Sequence, residues 1–181
     1  MRLLTDTCSA LKLAALGISI FQKGTLPSGD LILHPALFRE TKKWKPARKA
    51  LYKTEFSILA QVKAEPNLRS SGHDLDVQVE IVQLTAEVLG KTIGKVDREK
   101  LGTVLLHDDI ELVTNDLSMQ AVAEELDVTT YTAESIICEA VSAGIISLPD
   151  AQAALNQWKK NGDNINEADR PALLQIGLKA H

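Results

Sequence analysis

The chain is poor in cysteine, carries no net positive charge and contains no long uninterrupted apolar run. Its two cysteines, Cys8 and Cys138, are too few and too far apart for a disulfide scaffold. The formal net charge of -4 gives no global reason to expect nucleic-acid binding, although binding depends on local charge. Asp6 interrupts the apolar start of the chain, and no small-residue cleavage pattern follows it. We therefore expect no signal peptide, no membrane span and a cytoplasmic protein.

The composition that remains is that of a globular protein. A length of 181 residues fits one domain with an appendage. Apolar residues make up 45% of the chain, which is enough for an ordinary core, and charged residues make up 24%, which argues against wholesale disorder. No internal repeat or low-complexity tract interrupts the sequence.

Short apolar runs predict strands, and apolar residues at helical spacing predict helices. The expected strands are residues 3–5, 31–33, 110–114 and 127–130. The expected helices are residues 10–18, a helix from 35, 47–63, 74–89, 97–107, 117–126, 132–143, 147–158 and 168–178. Pro66 and Ser70-Ser71-Gly72 predict a break between two of these helices. The alternation of strands and helices favours a parallel sheet with helices on both faces.

Four carboxylates are placed by this pattern at one edge of the sheet. Asp6 and Asp116 follow the carboxyl ends of two strands, where open parallel sheets form their sites. Glu40 lies about one and a half turns into the helix after the second strand. Asp97 is expected to begin the helix that leads into strand 110–114, so it lies at the same edge. These four side chains are predicted to converge.

The same topology excludes a competing pair of acids. Asp108 and Asp109 precede strand 110–114 and belong at its amino end, away from the predicted site.

Converging carboxylates repel one another unless a cation neutralises them. Hard oxygen ligands suit Mg²⁺ or Mn²⁺, which can activate water and stabilise charge on a phosphodiester. A structural alternative remains open at this point. Asp6, Asp97 and Asp116 each precede a predicted helix, where Asp is a favoured N-cap, and Glu40 could be a solvated helix residue.

With these motifs the sequence resembles the PIN-domain family of ribonucleases. The most specific of the matching segments is a strand that ends in Thr-Asn-Asp. The resemblance is carried by Leu3-Leu4-Thr5-Asp6-Thr7, His34-Pro35-Ala36-Leu37-Phe38-Arg39-Glu40, Val96-Asp97-Arg98-Glu99, Leu112-Val113-Thr114-Asn115-Asp116, Ala121-Val122-Ala123 and Leu126-Asp127-Val128.

The resemblance implies a Rossmann-like three-layer α/β/α sandwich with a short parallel sheet, formed by residues 1–131. Residues 132–181 are then a C-terminal helical extension packed on that domain. The implied function is an endoribonuclease with an acidic Mg²⁺ or Mn²⁺ pocket.

Particular residues match the positions that carry this function in the family. Asp6, Glu40, Asp97 and Asp116 match the catalytic and metal-binding acids, and Thr114 and Asn115 match polar positions beside the metal.

Many members of the family are toxins paired with an antitoxin protein, and many form homodimers. A toxin and a solitary nuclease are both compatible with this sequence, because the segment between Glu40 and Asp97 and the helices after residue 131 depart from a compact toxin. A catalytically inactive module that binds RNA or protein is the alternative function.

Seven of the fifteen residues from 39 to 53 are basic. Among them, Lys42, Lys43, Lys45 and Arg48 are predicted to bind the RNA backbone, with a solvated helix face as the alternative. Trp44 could stack on a base, but at helical spacing a tryptophan more often packs in a core or an interface.

Overall fold

The computed structural model describes residues 1–65, 68 and 72–180, and these residues contain one parallel sheet of four strands in the order β2-β1-β3-β4. The strands are β1 (Arg2–Thr5), β2 (Asp30–Leu33), β3 (Ile110–Val113) and β4 (Thr130–Tyr131). Thr5 pairs with Leu33 on one side and with Val113 on the other, so β1, β2 and β3 end at the same edge.

Ten helices surround the sheet in the described part of the chain, and a short 3-10 turn at Ile18–Phe21 follows the first of them. None of the helices described is both long and apolar enough to cross a membrane. The helices are α1 (Thr7–Ala14), α2 (Pro35–Lys42), α3 (Pro46–Leu51), α4 (Lys53–Val62), α5 (His73–Val88), α6 (Lys95–Leu105), α7 (Leu117–Glu125), α8 (Ala133–Ser142), α9 (Leu148–Asn161) and α10 (Arg170–Gln175).

Two hydrophobic cores lie on opposite faces of the sheet. Leu3 and Leu4 are both fully buried, because successive residues of a strand point to opposite faces and both faces are covered. Leu3 packs with residues of α1, α4, α8 and α9, whereas Leu4 packs with residues of α5, α6 and α7. The predicted three-layer α/β/α sandwich is confirmed.

The C-terminal helices share the core on the Leu3 side. Ile136 of α8, Trp158 of α9 and Leu173 of α10 are each at most 1% exposed within it. The indole Nε1 of Trp158 also donates a hydrogen bond to the carbonyl oxygen of Lys12 in α1, at 2.8 Å. Residues after 131 therefore complete one face of the sandwich.

Several predicted elements differ in the structure. The helix expected over residues 10–18 is α1, Thr7–Ala14, and Ile18 belongs to the 3-10 turn. The helix expected over residues 47–63 is divided into α3 and α4 at Tyr52, whose backbone leaves the helical region (φ −108°, ψ 26°). The Tyr52 ring is buried and its hydroxyl donates to Asp163 Oδ1 at 2.7 Å, which turns the chain at this point. The break expected at Pro66, Ser70 and Ser71 lies outside the described residues.

The prediction of a strand over residues 127–130 is wrong in its position, because the strand in the structure, β4, is Thr130–Tyr131. Asp127 adopts a positive φ of 55° and Val128 N donates to Ala123 O at 2.9 Å. These two residues therefore form the turn that ends α7 rather than the start of a strand.

Candidate functional site

The candidate site lies where the strand order reverses. The chain continues from β1 to β2 on one side, whereas β3 pairs with β1 on the other, and ligands of open parallel sheets bind in the crevice beside such a point. Asp6 directly follows β1, and Asp116 lies three positions beyond the end of β3. The two residues that flank this crevice are therefore both carboxylates.

Asp6 and Asp116 are the N-caps of the helices that leave the crevice. Asp6 Oδ1 accepts a hydrogen bond from Ser9 N at 2.6 Å, and Asp116 Oδ1 accepts from Ser118 N and Met119 N at 2.8 and 2.9 Å. The capping interpretation is correct for these two residues. It does not apply to Asp97, because α6 begins earlier, at Lys95, and Asp97 lies within its first turn.

All four predicted carboxylates meet in one cleft of ≈ 260 Å³, called the acidic cleft below. The side chains that line it are those of Asp6, Thr7, Cys8, Glu40, Asp97, Asn115 and Asp116. Glu40 reaches the cleft from α2 and Asp97 from α6, so four separate elements contribute one acid each.

Thr114 holds the two strand-end acids together. Its fully buried hydroxyl donates to Asp6 Oδ2. The hydroxyl oxygen, Thr114 Oγ1, also accepts a hydrogen bond from Asp116 N at 3.1 Å. Thr114 is thus a support beneath the acidic cleft, behind the carboxylates that line it.

Asn115 lines the acidic cleft but directs its amide toward the C-terminal helices. Its Oδ1 accepts from Ser9 Oγ at 3.1 Å and from Ala133 N at 3.0 Å, while its Nδ2 donates to Glu134 Oε2. The end of β3 is thereby bonded to the start of α8, which couples the acidic cleft to residues after 131.

Sequence reasoning missed Lys100 and Thr7. Lys100 is fully buried, and its Nζ donates to Thr7 Oγ1 at 2.9 Å and to Asp97 Oδ1 at 3.0 Å, with Glu40 Oε2 at 3.6 Å. The Thr7 hydroxyl in turn donates to Glu40 Oε2 at 2.5 Å. A signal for Lys100 was present, since it follows Asp97 by three positions and precedes buried Leu101, so it falls on the inward face of a helix.

The acidic cleft carries more negative than positive charge. Burial, and further the Asp6 and Glu40 carboxylates, raise the pKa of Asp97 even though Lys100 acts in the opposite direction. Among the described residues, Lys100 forms ion pairs with two of these four carboxylates, Glu40 and Asp97, and no basic side chain forms one with the other two. A cation is the partner that such a set of oxygens fits.

The carboxylate oxygens of the acidic cleft are of the type that Mg²⁺ and Mn²⁺ bind. In residues 1–65, 68 and 72–180, no three His, Cys, Asp or Glu side chains stand close enough together to hold one ion. Mg²⁺ commonly keeps several water ligands and takes only one or two carboxylates from the protein, so two acids of the acidic cleft suffice. The residues present therefore fit Mg²⁺ or Mn²⁺.

Cys8 lines the acidic cleft, but its thiol is not activated as a nucleophile there. Desolvation, and next the Asp6 carboxylate, raise the pKa of its thiol to about 12, although Arg48 acts in the opposite direction. The thiol is protonated at neutral pH, and catalysis by cysteine requires the thiolate.

Exposed cations follow Glu40 along the chain. Lys42, Lys43, Lys45 and Arg48, called the basic patch below, are exposed on the end of α2 and on α3. The Arg48 guanidinium stacks on the ring of Trp44 at 3.5 Å. Trp44 itself packs edge-to-face against Tyr52 and Phe56, with ring centroids 5.9 Å apart in both pairs, so its role is packing.

No protein-family model, curated protein or solved structure matches the chain. Function is therefore argued from the geometry of the acidic cleft and the surfaces around it.

Proposed function

We propose that the protein is an endoribonuclease that depends on Mg²⁺ or Mn²⁺. The observation that supports this most is the meeting of Asp6, Glu40, Asp97 and Asp116 in one cleft at the reversal point of the sheet. Acids that served only as helix caps would have no reason to converge from four elements.

Asp6 and Asp116 are the residues that would hold the ion, while Glu40 and Asp97 line the same cleft and are paired with Lys100. A bound divalent ion supplies an activated water and stabilises charge on the phosphodiester. The protein's own part is orientation. Thr114 and the helix N-H groups fix Asp6 and Asp116, while Thr7 and Lys100 fix Glu40 and Asp97.

The substrate is proposed to be RNA because the basic patch begins two residues after Glu40. Phosphate contacts from lysine and arginine provide the sequence-independent part of RNA affinity. The patch would hold the strand while the acidic cleft faces one phosphodiester.

The decisive experiment compares two variants of equal charge. Asp116→Asn, at the carboxyl edge of the sheet, should lower the rate of cleavage of single-stranded RNA in Mn²⁺ by about 100-fold or more, as removal of a metal ligand does. Asp108→Asn removes an exposed acid at the amino edge and should leave the rate unchanged.

The alternative of an inactive RNA-binding module makes the opposite prediction. In that case RNA binding persists in EDTA and no cleavage product forms with any divalent ion. If Asp116→Asn and the wild type cleaved RNA at equal rates, the nuclease proposal would be wrong.

A protein partner of the antitoxin kind is also proposed, and the outer surface of α5 supports it. Val77, Ile81, Leu84 and Val88 recur at helical spacing and are 39%, 37%, 54% and 86% exposed. This row, called the α5 face below, forms one apolar stripe on a helix whose opposite side packs on α6.

The acidic residues beside the α5 face favour a partner with basic residues. Asp76, Glu80 and Glu87 are exposed along one flank of the stripe. An amphipathic helix with basic flanks would complement this row, whereas two antiparallel copies of α5 would oppose like charges and disfavour the homodimer.

We expect the chain to sediment alone as a monomer and to co-purify with the product of an adjacent gene. Leu84→Glu should abolish that complex without lowering the melting temperature. A dimer that Leu84→Glu dissociates would show that a second copy covers the α5 face.

A further inference from the structure

Lys100 is buried behind two of the four acids that line the acidic cleft, Glu40 and Asp97. Its ammonium group has no exposed surface and contacts an oxygen of Asp97, an oxygen of Thr7 and, at 3.6 Å, an oxygen of Glu40. Glu40 and Asp97 themselves remain about one-third exposed, so the two carboxylates face the acidic cleft while the ammonium group lies buried behind them.

Among the described residues, Asp6 and Asp116 have no such lysine partner. Across residues 1–65, 68 and 72–180, no basic side chain forms an ion pair with Asp6 or Asp116. Their partners are the N-H groups of Ser9, Ser118 and Met119 and the hydroxyl of Thr114. One pair of acids thus shares a lysine as its counter-ion, and among the described residues the other pair has none.

We infer that the Lys100 ammonium takes the place of a second divalent ion, so the acidic cleft binds a single Mg²⁺ or Mn²⁺, beside Asp6 and Asp116. A second ion at Glu40 and Asp97 would have to approach a buried positive charge, where repulsion is poorly screened. This inference rests on the proposed function, because it concerns the metal that the nuclease uses.

Lys100 is a positioning residue in this arrangement. It cannot swing away, because its ammonium would leave Asp97 and Thr7 without their buried partner. It therefore holds Glu40 and Asp97 at a fixed distance and supplies the positive charge that a second ion supplies in two-metal sites.

The test measures Mn²⁺ stoichiometry on the full chain, by titration calorimetry and by the electron paramagnetic resonance signal of free Mn²⁺. We expect one ion per chain in the wild type and a second ion in Lys100→Met. Lys12→Met is the matched control, because Lys12 is also buried and paired with a carboxylate, Glu134, which is not one of the four acids of the acidic cleft. Lys12→Met should keep one ion.

A second measurement does not depend on the folding of Lys100→Met. Since Glu40 already has Lys100 as its counter-ion, Glu40→Gln should change Mn²⁺ affinity less than ~3-fold, whereas Asp116→Asn should weaken it ~10-fold or more. The inference is overturned by two ions in the wild type, by one ion in a folded Lys100→Met, or by equal reductions of affinity in these two acid variants.

Failure of the inference and failure of the proposed function are distinguishable. Two bound ions with RNA cleavage would overturn the role of Lys100 and leave the nuclease standing. One bound ion without RNA cleavage would support the role of Lys100 and overturn the nuclease proposal.

Discussion

The hydroxyl of Thr114 joins the ends of two neighbouring strands. It donates to the Asp6 carboxylate and accepts from the backbone of Asp116, with no exposure to solvent. Thr114→Val keeps the shape of the side chain but removes both bonds. We expect unfolding to become easier by about 1–3 kcal/mol and RNA cleavage to fall by roughly 10-fold or more.

Thr114→Ser is the control for this prediction, because it keeps the hydroxyl and removes only a methyl group. It should cleave RNA within a small factor of the wild type. Equal cleavage by the valine and serine variants would show that the hydroxyl does not position the acids. Urea denaturation and single-turnover cleavage provide the two readouts.

His34 gives the fold a dependence on pH. It is buried at the start of α2, where Nδ1 accepts from Ala36 N at 3.1 Å and Nε2 lies 3.3 Å from Thr103 Oγ1. Burial, and further the charges of Lys100 and Arg39, lower the pKa of His34 from 6.5 to about 4.

The lowered pKa determines the sign of the effect. Between pH 6.5 and pH 4 the unfolded chain binds a proton at His34 that the folded chain does not, so stability is present above pH 6.5 and declines as the pH falls. The decline from this residue is about 3 kcal/mol over that range, on the scale of 1.36 kcal/mol per pKa unit.

His34→Asn isolates this contribution, because asparagine keeps an acceptor for the helix N-terminus. Free energies of unfolding measured from pH 7 to pH 4 should fall less steeply in the variant than in the wild type. The raised pKa of Asp97 acts in the opposite direction in both proteins and cancels in the comparison. Identical slopes would contradict the prediction.

At the scale of elements, a buried ion pair attaches α8 to α1. Lys12 Nζ donates to Glu134 Oε1 at 3.0 Å and to the carbonyl oxygen of Asn164 at 2.6 Å, and it lies over the Trp158 ring. Glu134 also accepts from Asn166 N, so the loop before α10 is held as well. Each side chain of this pair is at most 5% exposed.

Breaking one partner should cost more than removing both. Lys12→Met leaves the Glu134 charge buried alone and should destabilise the fold by about 3–5 kcal/mol. Lys12→Met combined with Glu134→Gln removes both charges, keeps an amide oxygen for the Asn166 N-H group, and should recover most of that stability. A double-mutant cycle in urea measures the difference, and additive effects would contradict it.

The elements themselves show which parts of the site could be predicted from sequence. Asp6 and Asp116 were placed correctly because a polar residue after a buried parallel strand has one available edge. Glu40 was placed by helix periodicity alone. The start of α6 was misplaced because Gly94, an N-cap without a side-chain acceptor, gives a weaker signal than Asp97.

Long-range partners could not be predicted in this way. Lys100 meets Thr7 and Glu40 across 93 and 60 sequence positions, and nothing local specifies such a contact. The break at Tyr52 likewise depends on Asp163, which is 111 positions away. Propensity describes a segment, whereas these features follow from what the segment packs against.

At the scale of the whole molecule, the chain has a net charge of -4, yet its basic residues are concentrated between residues 39 and 53. The basic patch on α2 and α3 begins two residues after Glu40, which lines the acidic cleft. Arg48 connects the patch to the acidic cleft, since its charge acts on the pKa of Cys8. A polyanion can therefore be held at the rim even though the protein is acidic overall.

Salt dependence tests this arrangement in the complete protein. If the basic patch binds phosphates, Lys43→Gln combined with Lys45→Gln should reduce the slope of log affinity against log salt. The expected reduction is about 0.7 for each phosphate of single-stranded RNA that the variant no longer neutralises. Cleavage under saturating RNA should stay near the wild-type rate, because neither lysine lines the acidic cleft.

Lys23→Gln is the matched control, because Lys23 is exposed beside Arg2 and Asp30 at the amino edge of the sheet. It removes a positive charge from the chain without touching the patch, so it separates a local contact from a change in net charge. The measurement is RNA binding in Ca²⁺ or with Asp116→Asn as background, at several salt concentrations. The contrary result would be that Lys23→Gln and the patch variant reduce the slope of log affinity against log salt by the same amount per lysine removed. RNA binding would then depend on the overall charge, and the basic patch would be a solvated helix face.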